Sequence, residues 1–376
     1  MTRTVRHTLL CTVGTSLFAG NLARLGSETP DRPDNWENLR RAYDDRDWPR
    51  VAAELQRVPP EARICGAEIN TIAHIRRQKG IALRRLVFLV SDTEAGRDTG
   101  EVLRRYFEAR EDLPLEAVAV EVIEELQDER PFDFKQHGLR NLVRVMGKHI
   151  RAFGPGQVAI DATGGYKAQI AIAALVGQAL GVPVFYKHER FDSLIDFPPM
   201  PVAFDYALLG GHAGLLAALE AGETLTAAET GDVPPRLRVL LTEVREGRET
   251  LYALSPIGQL FLESYRARHP KPVVLPPAEG REPPRFRDDH YPAGFREFVE
   301  KVWRENDWIR SAHSLPYDKQ RGIGGIGFFV RRTPEGFELI GAYRRDFGAR
   351  FRLLVPGASP ETLTHAATRL NEHYKP

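Results

Sequence analysis

Residues that could bind phosphate directly follow an apolar run near the middle of the chain. Residues 161–167 read Asp-Ala-Thr-Gly-Gly-Tyr-Lys and come straight after Val-Ala-Ile at 158–160. Two glycines let backbone amides approach a ligand closely, and a hydroxyl and an ammonium group belong to the same turn. The pattern predicts a helix that opens at Ala168, whose positive end would point to this turn. The sequence therefore predicts a phosphate site, and the alternative is a Gly-rich turn with an incidental lysine.

Two other predicted strands also end in small polar residues. The apolar run at 8–13 is followed by Gly-Thr-Ser and shortly afterwards by an asparagine, and the run at 86–90 is followed by Ser-Asp-Thr. The carboxyl ends of the strands in a doubly wound sheet border the crevice where ligands bind, so we expect these tips to form one polar floor. The predicted ligand-binding residues are Gly14, Thr15, Ser16, Asn21, Ser91, Asp92, Thr93, Thr163, Gly164, Gly165 and Lys167.

Length and composition set the outer limits on the class of protein. A chain of 376 residues suits two or three domains, and its net charge of +1 does not point to any partner. The two cysteines, Cys11 and Cys65, are too few for a metal cluster. No apolar run reaches the roughly 18 residues of a membrane span, and the amino terminus has no signal-peptide core. We therefore expect a soluble, cytoplasmic protein without a metal or organic cofactor and without a membrane partner.

Two of these tips resemble the motifs of a known family. Gly-Thr-Ser at 14–16 and Thr-Gly-Gly-Tyr-Lys at 163–167 resemble the CRISPR-associated Rossmann-fold (CARF) domains, which sense cyclic oligoadenylates in type III CRISPR defence. The resemblance covers residues 1–205. It implies a Rossmann-like α/β fold and a homodimer that binds one cyclic ligand across its two-fold axis, with cyclic tetra-adenylate preferred over hexa-adenylate. Destruction of the ligand stays open, and the residues that could promote it or only bind are Thr15, Ser16, Asp161 and Lys167.

The middle of the chain predicts a connector. Residues 206–268 read as helices at 206–221 and 237–246, a strand at 249–254 and a helix at 256–266, an order that resembles a winged helix-turn-helix. Acidic residues outnumber basic ones there, and DNA needs positive charge, so a spacer or dimerising role is favoured over DNA binding. The proline-bearing stretch at 269–284 is predicted to be an extended linker.

The last part, residues 285–376, predicts a helix or helical pair at 292–313, strands at 323–332, 337–345 and 351–355, and a helix at 360–373. Helices followed by an antiparallel sheet rich in arginine resemble the RelE family of mRNA interferases, which cleave mRNA in the ribosomal A site. The chain departs from that family at 355–357, where Val-Pro-Gly replaces a basic, tyrosine-bearing tail. The resemblance implies the catalytic residues Lys319, Arg321, Arg331, Arg332, Tyr343, Arg344 and Arg345, with Arg350 and Arg352 further along and Tyr374 as the alternative tyrosine.

The sequence as a whole thus predicts an α/β protein with a Rossmann-like CARF sensor, a winged helix-turn-helix connector and an α+β RelE-like domain. The expected activity is metal-independent cleavage of mRNA on ribosomes, activated by cyclic oligoadenylate, since RNA supplies its own 2′-hydroxyl as nucleophile. One alternative is a CARF–HEPN ribonuclease acting on free RNA, because Arg285 and His290 have the spacing of the HEPN motif. Another alternative is a transcriptional regulator that works through the winged helix.

Overall fold

The chain folds as two compact units. The computed structural model describes residues 5–78, 81–188, 191, 193–200, 204–222, 224–230, 233, 235–247, 249–268, 275–287, 290–316, 327–345 and 347–374. Unit 1 comprises Met1–Ala203 and Leu260–Arg268, and unit 2 comprises Phe204–Gln259 and His269–Pro376. Among the described residues, no helix combines the length and the apolar character that crossing a bilayer requires.

Unit 1 is built on a mostly parallel sheet. Its strands in the described residues are β1 Arg6–Thr12, β2 Ile81–Ser91, β3 Ala117–Ile123, β4 Val158–Asp161, β5 Val184–Lys187 and β6 Leu194–Phe197. They lie in the order β3-β2-β1-β4-β5-β6, and only the pairing of β6 with β5 is antiparallel. The chain runs outward from β1 to β3 and then returns to place β4 on the other side of β1. This reversal makes a topological switch point between β1 and β4, where ligands bind in such sheets.

Helices cover both faces of this sheet. They are α1 Trp36–Asp44, α2 Trp48–Leu55, α3 Gly66–Ile75, α4 Glu94–Glu108, α5 Pro131–Asp133, α6 Leu139–Phe153 and α7 Lys167–Leu180. Along the strands, successive side chains point to opposite faces. Leu9, Cys11 and Phe88 therefore join a core with α1–α4, while Leu10 and Val87 join a second core with α6 and α7. The predicted Rossmann-like architecture is thus the one observed.

Unit 2 begins with small elements around a three-stranded sheet. In the described residues these are α8 Ala207–Glu220, β7 Leu225–Thr226, α9 Ala227–Thr230, α10 Pro235–Arg238, β8 Leu241–Glu246, β9 Glu249–Leu254 and α11 Pro256–Arg268, which continues into unit 1. The predicted helix at 237–246 is wrong, because β8 pairs with β9 from Leu241 opposite Leu254 to Glu246 opposite Glu249. Gly247, at a φ of 62°, makes the turn between them. The winged helix-turn-helix assignment stays a prediction.

The rest of unit 2 is a four-stranded antiparallel sheet, in the described residues, with helices on one face. Its elements are α12 Phe295–Glu305, β10 Ser311–Ser314, β11 Gly327–Thr333, β12 Gly336–Arg344, β13 Gly348–Leu354 and α13 Pro360–His373. The order is β10-β13-β12-β11. The predicted helix to residue 313 is wrong at its end, because β10 pairs with β13 there. Residues 323–326 of the predicted strand at 323–332 lie outside the described residues.

The predicted linker is a packed segment where the structure describes it. The Ala278 amide donates to the Asp307 carbonyl at 3.0 Å, and the Glu282 amide donates to the Arg310 carbonyl at 2.9 Å. Leu275 is buried in the core of this part of unit 2. Backbone hydrogen bonds of this kind fix residues 275–284 against the loop before β10, so they do not form a free extended connection.

Candidate functional site

The loops after β1 and β4 touch each other at the switch point. A Cβ atom placed on Gly14 would lie 2.8 Å from the Gly165 nitrogen, and one placed on Gly164 would lie 2.9 Å from the Gly14 nitrogen. The Thr12 hydroxyl donates to the Gly164 carbonyl at 2.6 Å. Contacts below 3.0 Å leave no room for a side chain, so both positions need glycine. The two motifs found in the sequence therefore form one site.

Several groups around this contact remain accessible to a ligand. Ser16 and Lys167 are exposed, and Thr15, Thr163 and Gly165 are partly exposed. Gly165 has a φ of 98°, a conformation that side chains disfavour. Lys167 is the first residue of α7, at the positive end of that helix. The positive end of the helix does not stabilise the charge of a lysine. A bound phosphate, in contrast, would be stabilised both by the helix end and by the Lys167 ammonium.

Two buried carboxyl groups lie beneath the loops. Glu68 and Asp161 are both fully buried. The Glu68 carboxylate accepts a hydrogen bond from the Gly14 amide at 2.8 Å, and the Asp161 carboxylate accepts one from the Thr163 amide at 3.0 Å. Burial raises the pKa of Asp161 to about 7, with the charge of Glu68 acting in the same direction, and burial also raises the pKa of Glu68. These acids fix the backbone of the loops on which a ligand would rest.

Glu68 was missed by the sequence interpretation. Glu68 lies in the first turn of α3 and is fully buried, and its carboxylate accepts a hydrogen bond from the Gly14 amide. Its partner is a backbone amide far away in sequence. No local signal identifies such a contact.

The remaining predicted ligand residues make contacts within the protein. The Thr93 hydroxyl accepts from the Gly96 amide at 3.0 Å and so caps α4, and the Ser91 hydroxyl lies 2.9 Å from that of Thr93. Asp92 accepts from the Glu125 amide at 3.0 Å and forms an ion pair with Arg97. The Asn21 side chain donates to the Arg63 carbonyl at 2.7 Å. These residues shape the edge of the site, while the loops after β1 and β4 form its centre.

A second candidate site is one face of the β10–β13 sheet. Alternate residues such as Val330 and Leu339 pack with α12 and α13 in the core. The opposite face, here called the basic face, carries Arg331, Glu338, Arg350 and Arg352. Glu338 accepts from both Arg331 and Arg352 at 2.7 Å. The face therefore holds guanidinium groups of the kind that bind phosphate bidentately.

The other predicted catalytic residues fall in different surroundings. Arg344 lies on the basic face and is 3.4 Å from Glu229. Arg332 lies on the opposite face of the sheet, which packs against the helices, and Arg345 comes directly after β12. The Tyr343 hydroxyl donates to the Ala293 carbonyl at 2.9 Å. Lys319 and Arg321 lie outside the described residues.

The alternative tyrosine, Tyr374, is buried in unit 2. Its hydroxyl donates to Glu305 at 2.6 Å and accepts from the Asn306 amide group at 3.0 Å. Burial, with the Glu305 hydrogen bond, raises its pKa to about 12. A group held in this way is a poor proton acceptor, so Tyr374 is not a good candidate for the general base.

The HEPN motif does not lie on a helix where the structure describes it. Arg285 makes an isolated bridge beside His313 of β10, and the ring of His290 stacks on Phe347 at 5.0 Å. Residues 288 and 289 lie outside the described residues. The surroundings of Arg285 and His290 include an antiparallel sheet, which disfavours the all-helical alternative.

Potential metal ligands come together elsewhere in unit 1. Among the described residues, Glu125, Asp133 and His137 have ligand atoms within 4.8 Å of one another. Such a set could hold a divalent ion. It is made of partly buried groups outside the two candidate sites.

Comparisons with known proteins bear on unit 1. Residues 63–200 match the family model described as CRISPR-associated protein (Cas_APE2256). Among solved structures, that of Can2 from Sulfobacillus thermosulfidooxidans in complex with cyclic tetra-adenylate is similar at 11% identity and a TM-score of 0.26. The similarity covers 69% of this chain and 62% of that chain, so less than two thirds of the Can2 chain is spanned. No curated protein matches. The family match includes β2–β6, the buried Glu68 and the glycine turn after β4, and it supports a relation of this region to CRISPR-associated proteins.

Proposed function

We propose that the protein is an endoribonuclease of type III CRISPR defence that is activated by cyclic oligoadenylate. Unit 1 is the sensor, and the site between the loops after β1 and β4 takes the ligand. The β10–β13 sheet of unit 2 is a RelE-like effector that cleaves mRNA in the ribosomal A site, and residues 206–268 serve as the connector. The protein works as a homodimer, with mRNA and the ribosome as further partners.

The observation that carries this proposal is the close contact between Gly14 and the Gly164–Gly165 pair. Because these glycines have no side chains, backbone atoms form the surface at the switch point of the Rossmann-like sheet. The positive end of α7 and the exposed ammonium of Lys167 lie beside this surface. These are the features that bind phosphate groups of nucleotides. The match of residues 63–200 to a CRISPR-associated family supports the proposal that the ligand is a nucleotide messenger of that defence.

Support for the ribonuclease comes from the basic face. Arg331 and Arg352 are anchored by Glu338, so their guanidinium groups are held ready for phosphate oxygens. Cleavage by the 2′-hydroxyl needs alignment, charge stabilisation and proton transfer, and the ribosome would supply the alignment by fixing the mRNA backbone. The four-stranded sheet favours this effector over the helical HEPN alternative.

One experiment tests ligand and activity together. Purified protein is titrated with cyclic tri-, tetra- and hexa-adenylate, and each ligand is then added to a nuclease assay on programmed ribosomes and on free RNA. We expect one ring, cyclic tetra-adenylate first, to bind and to activate cleavage on ribosomes while free RNA stays mostly intact. Cleavage of free RNA as fast as of mRNA on ribosomes would favour the HEPN alternative. Ligand binding without any cleavage would contradict the proposal that unit 2 is a ribonuclease.

A further inference from the structure

A histidine lies in the middle of a row of arginines on the basic face. His313 of β10 is directly opposite Arg352 of β13 in the antiparallel ladder. On its other side, the Arg285 amide donates to the Ala312 carbonyl at 2.7 Å, and the Ser314 amide donates to the Arg285 carbonyl at 3.0 Å. Side chains of directly paired residues project from the same face of a sheet. Arg285, His313 and Arg352 therefore form a continuous row.

A third arginine lies close to this row. The Arg287 amide donates to the Ser314 hydroxyl at 2.8 Å, which fixes the backbone of Arg287 next to β10. Arg285 and Arg287 are exposed, and His313 and Arg352 are partly exposed. Acidic groups hold two of the arginines, since Arg285 pairs with Glu282 and Arg352 pairs with Glu338. The cluster is thus a preformed set of guanidinium groups around one imidazole.

The environment favours the uncharged form of His313. Burial lowers its pKa, and the positive charges of Arg352, Arg285 and Arg287 lower it further, against a smaller opposite effect of Glu282. The ring as a whole is partly exposed, while its Nε2 atom is shielded from solvent and has no hydrogen-bond partner among the described residues. A neutral imidazole carries a proton on only one of its two nitrogens, so it can accept a proton, which is what a general base requires.

We propose that His313 is the general base of RNA cleavage on the basic face, and that Arg285, Arg287 and Arg352 hold the phosphate being cleaved. This inference rests on the proposed ribonuclease function and adds a proton acceptor that the predicted catalytic set did not contain. Among the predicted catalytic residues, the ammonium of Lys319 and the phenol of Tyr343 must each lose a proton before they can accept one. A neutral imidazole already has an unprotonated nitrogen, so His313 needs no such step.

The reaction balances with water as the only further reactant. Neutral His313 takes the proton of the 2′-hydroxyl as its oxygen bonds to phosphorus, and the P–O5′ bond breaks. The departing O5′ takes a proton from water, and the imidazolium returns its proton to the resulting hydroxide. The products are a 2′,3′-cyclic phosphate and a 5′-hydroxyl end. The arginines stabilise the charge on the phosphate oxygens during the transfer.

The test measures cleavage of mRNA on programmed ribosomes, with cyclic oligoadenylate at saturation, as a function of pH. The wild-type rate should rise with pH through one ionisation and reach a plateau, because His313 must be deprotonated. His313→Gln should lose at least about 100-fold in rate and lose this ionisation. Added imidazole should restore part of the rate to His313→Ala. His373→Gln, which changes an exposed histidine on α13, is the matched control and should behave as wild type.

Melting temperature and ligand affinity are measured on each variant, so that a folding defect is separated from a chemical one. If folded His313→Gln keeps the wild-type rate and pH profile, the inference is overturned while the proposed function stands. A folded His313→Ala that is slow but gains nothing from imidazole also overturns it, because the loss is then one of positioning. If the wild type shows no ligand-dependent cleavage at all, the proposed function fails and this inference fails with it.

Discussion

At the scale of single residues, the proposed ligand site depends on two buried acids that a ligand would not touch. Asp161 is the last residue of β4 and Glu68 lies in the first turn of α3, and both are fully buried beneath the loops that carry the glycines. Each carboxyl group accepts a hydrogen bond from a loop amide, so each fixes one of the two loops. Burial disfavours the charged form of Asp161 and is the main reason why its pKa is raised to about 7, and repulsion by the nearby charge of Glu68 adds to this effect.

The first prediction concerns the pH dependence of stability. Asp161 titrates near its ordinary value, about 3.9, in the unfolded chain but near 7 in the folded protein. Between these values the folded state holds a proton that the unfolded state has lost, so the free energy of unfolding falls as pH rises from about 4 to about 7. Asp161→Asn cannot ionise and should lose less stability over this range.

Urea unfolding at pH 5 and pH 7.5, followed by circular dichroism, checks this difference. Asp34→Asn, which changes an exposed aspartate of the same unit, should follow the wild type. An Asp161→Asn curve that falls in parallel with the wild type would show that Asp161 is ionised in the folded protein throughout.

At the scale of elements, the glycine turn after β4 packs directly against the loop after β1. A Cβ atom on Gly164 would lie 2.1 Å from the Glu68 carboxylate and 2.8 Å from the Thr12 carbonyl. Neither the strand end nor the buried carboxyl group can withdraw far. The loops must therefore separate if any side chain is introduced here.

The second prediction follows from this packing. Gly164→Ala should lower stability by about 1–3 kcal/mol, the usual cost of overpacking, and should abolish binding of cyclic oligoadenylate. Thermal melting and calorimetric titration measure the two effects. Gly26→Ala is the matched control, because nothing lies within 4 Å of a Cβ atom there. A folded Gly164→Ala variant with wild-type affinity would place the ligand elsewhere.

The third prediction concerns the basic face. Arg331→Ala should slow cleavage on ribosomes by about 100- to 1000-fold, by analogy with the loss of one oxyanion donor, without changing ligand affinity. Arg304→Ala, an exposed arginine of α12, serves as control and should leave the rate unchanged. If a variant with alanine at Arg331, Arg332, Arg344 and Arg345 still cleaves at full rate while His290→Ala is inactive, the HEPN alternative is correct.

The elements that the sequence predicted are those with a local signal. The apolar runs that end in glycine and hydroxyl residues predicted the tips of β1 and β4, because buried parallel strands have this pattern. β8 was predicted as helix because Leu237, Leu240, Leu241 and Val244 have helical spacing. Its pairing with β9 overrides that spacing.

No pattern in the local sequence predicted the strand β10 or a role for its histidine, His313. Ser311–Ser314 contains one apolar residue, Ala312, and forms a strand only because β13 pairs with it. The surroundings of His313 come from Arg285 and Arg352, which lie on separate segments. A position created by pairing between distant segments cannot be found from spacing along the chain.

At the scale of the whole molecule, the proposed ligand site and the proposed cleavage site belong to different units. A ligand can change activity only through a difference in its affinity for two states of the protein. Helix α11 begins in unit 2, and its residues Leu260–Arg268 belong to unit 1. Within unit 1, Leu260 joins the core of α6 and α7, and Glu263 is buried against Arg151. Helix α11 is therefore a covalent connection between the two units.

The fourth prediction concerns assembly. A cyclic ligand on a two-fold axis requires two chains for one ring, so the dimer should exist before the ligand arrives. Light scattering should give twice the mass of one chain, and titration should give one ring for two chains. Linear oligoadenylate should bind more weakly than the cyclic form. A monomer that binds one ring for each chain would exclude the two-fold arrangement.

The central claim is that occupation of the sensor controls cleavage by the effector. Its most direct test is the rate of mRNA cleavage on programmed ribosomes across a titration of cyclic tetra-adenylate, with wild type and Lys167→Ala side by side. Loss of a charge-assisted hydrogen bond weakens binding by about 1.5–3 kcal/mol, or roughly 10- to 150-fold. We predict no cleavage without ligand and an activation midpoint shifted by that factor in Lys167→Ala, with an unchanged plateau, while Lys148→Ala follows the wild type. Cleavage that proceeds equally without ligand, or a midpoint that does not move in Lys167→Ala, would contradict the account.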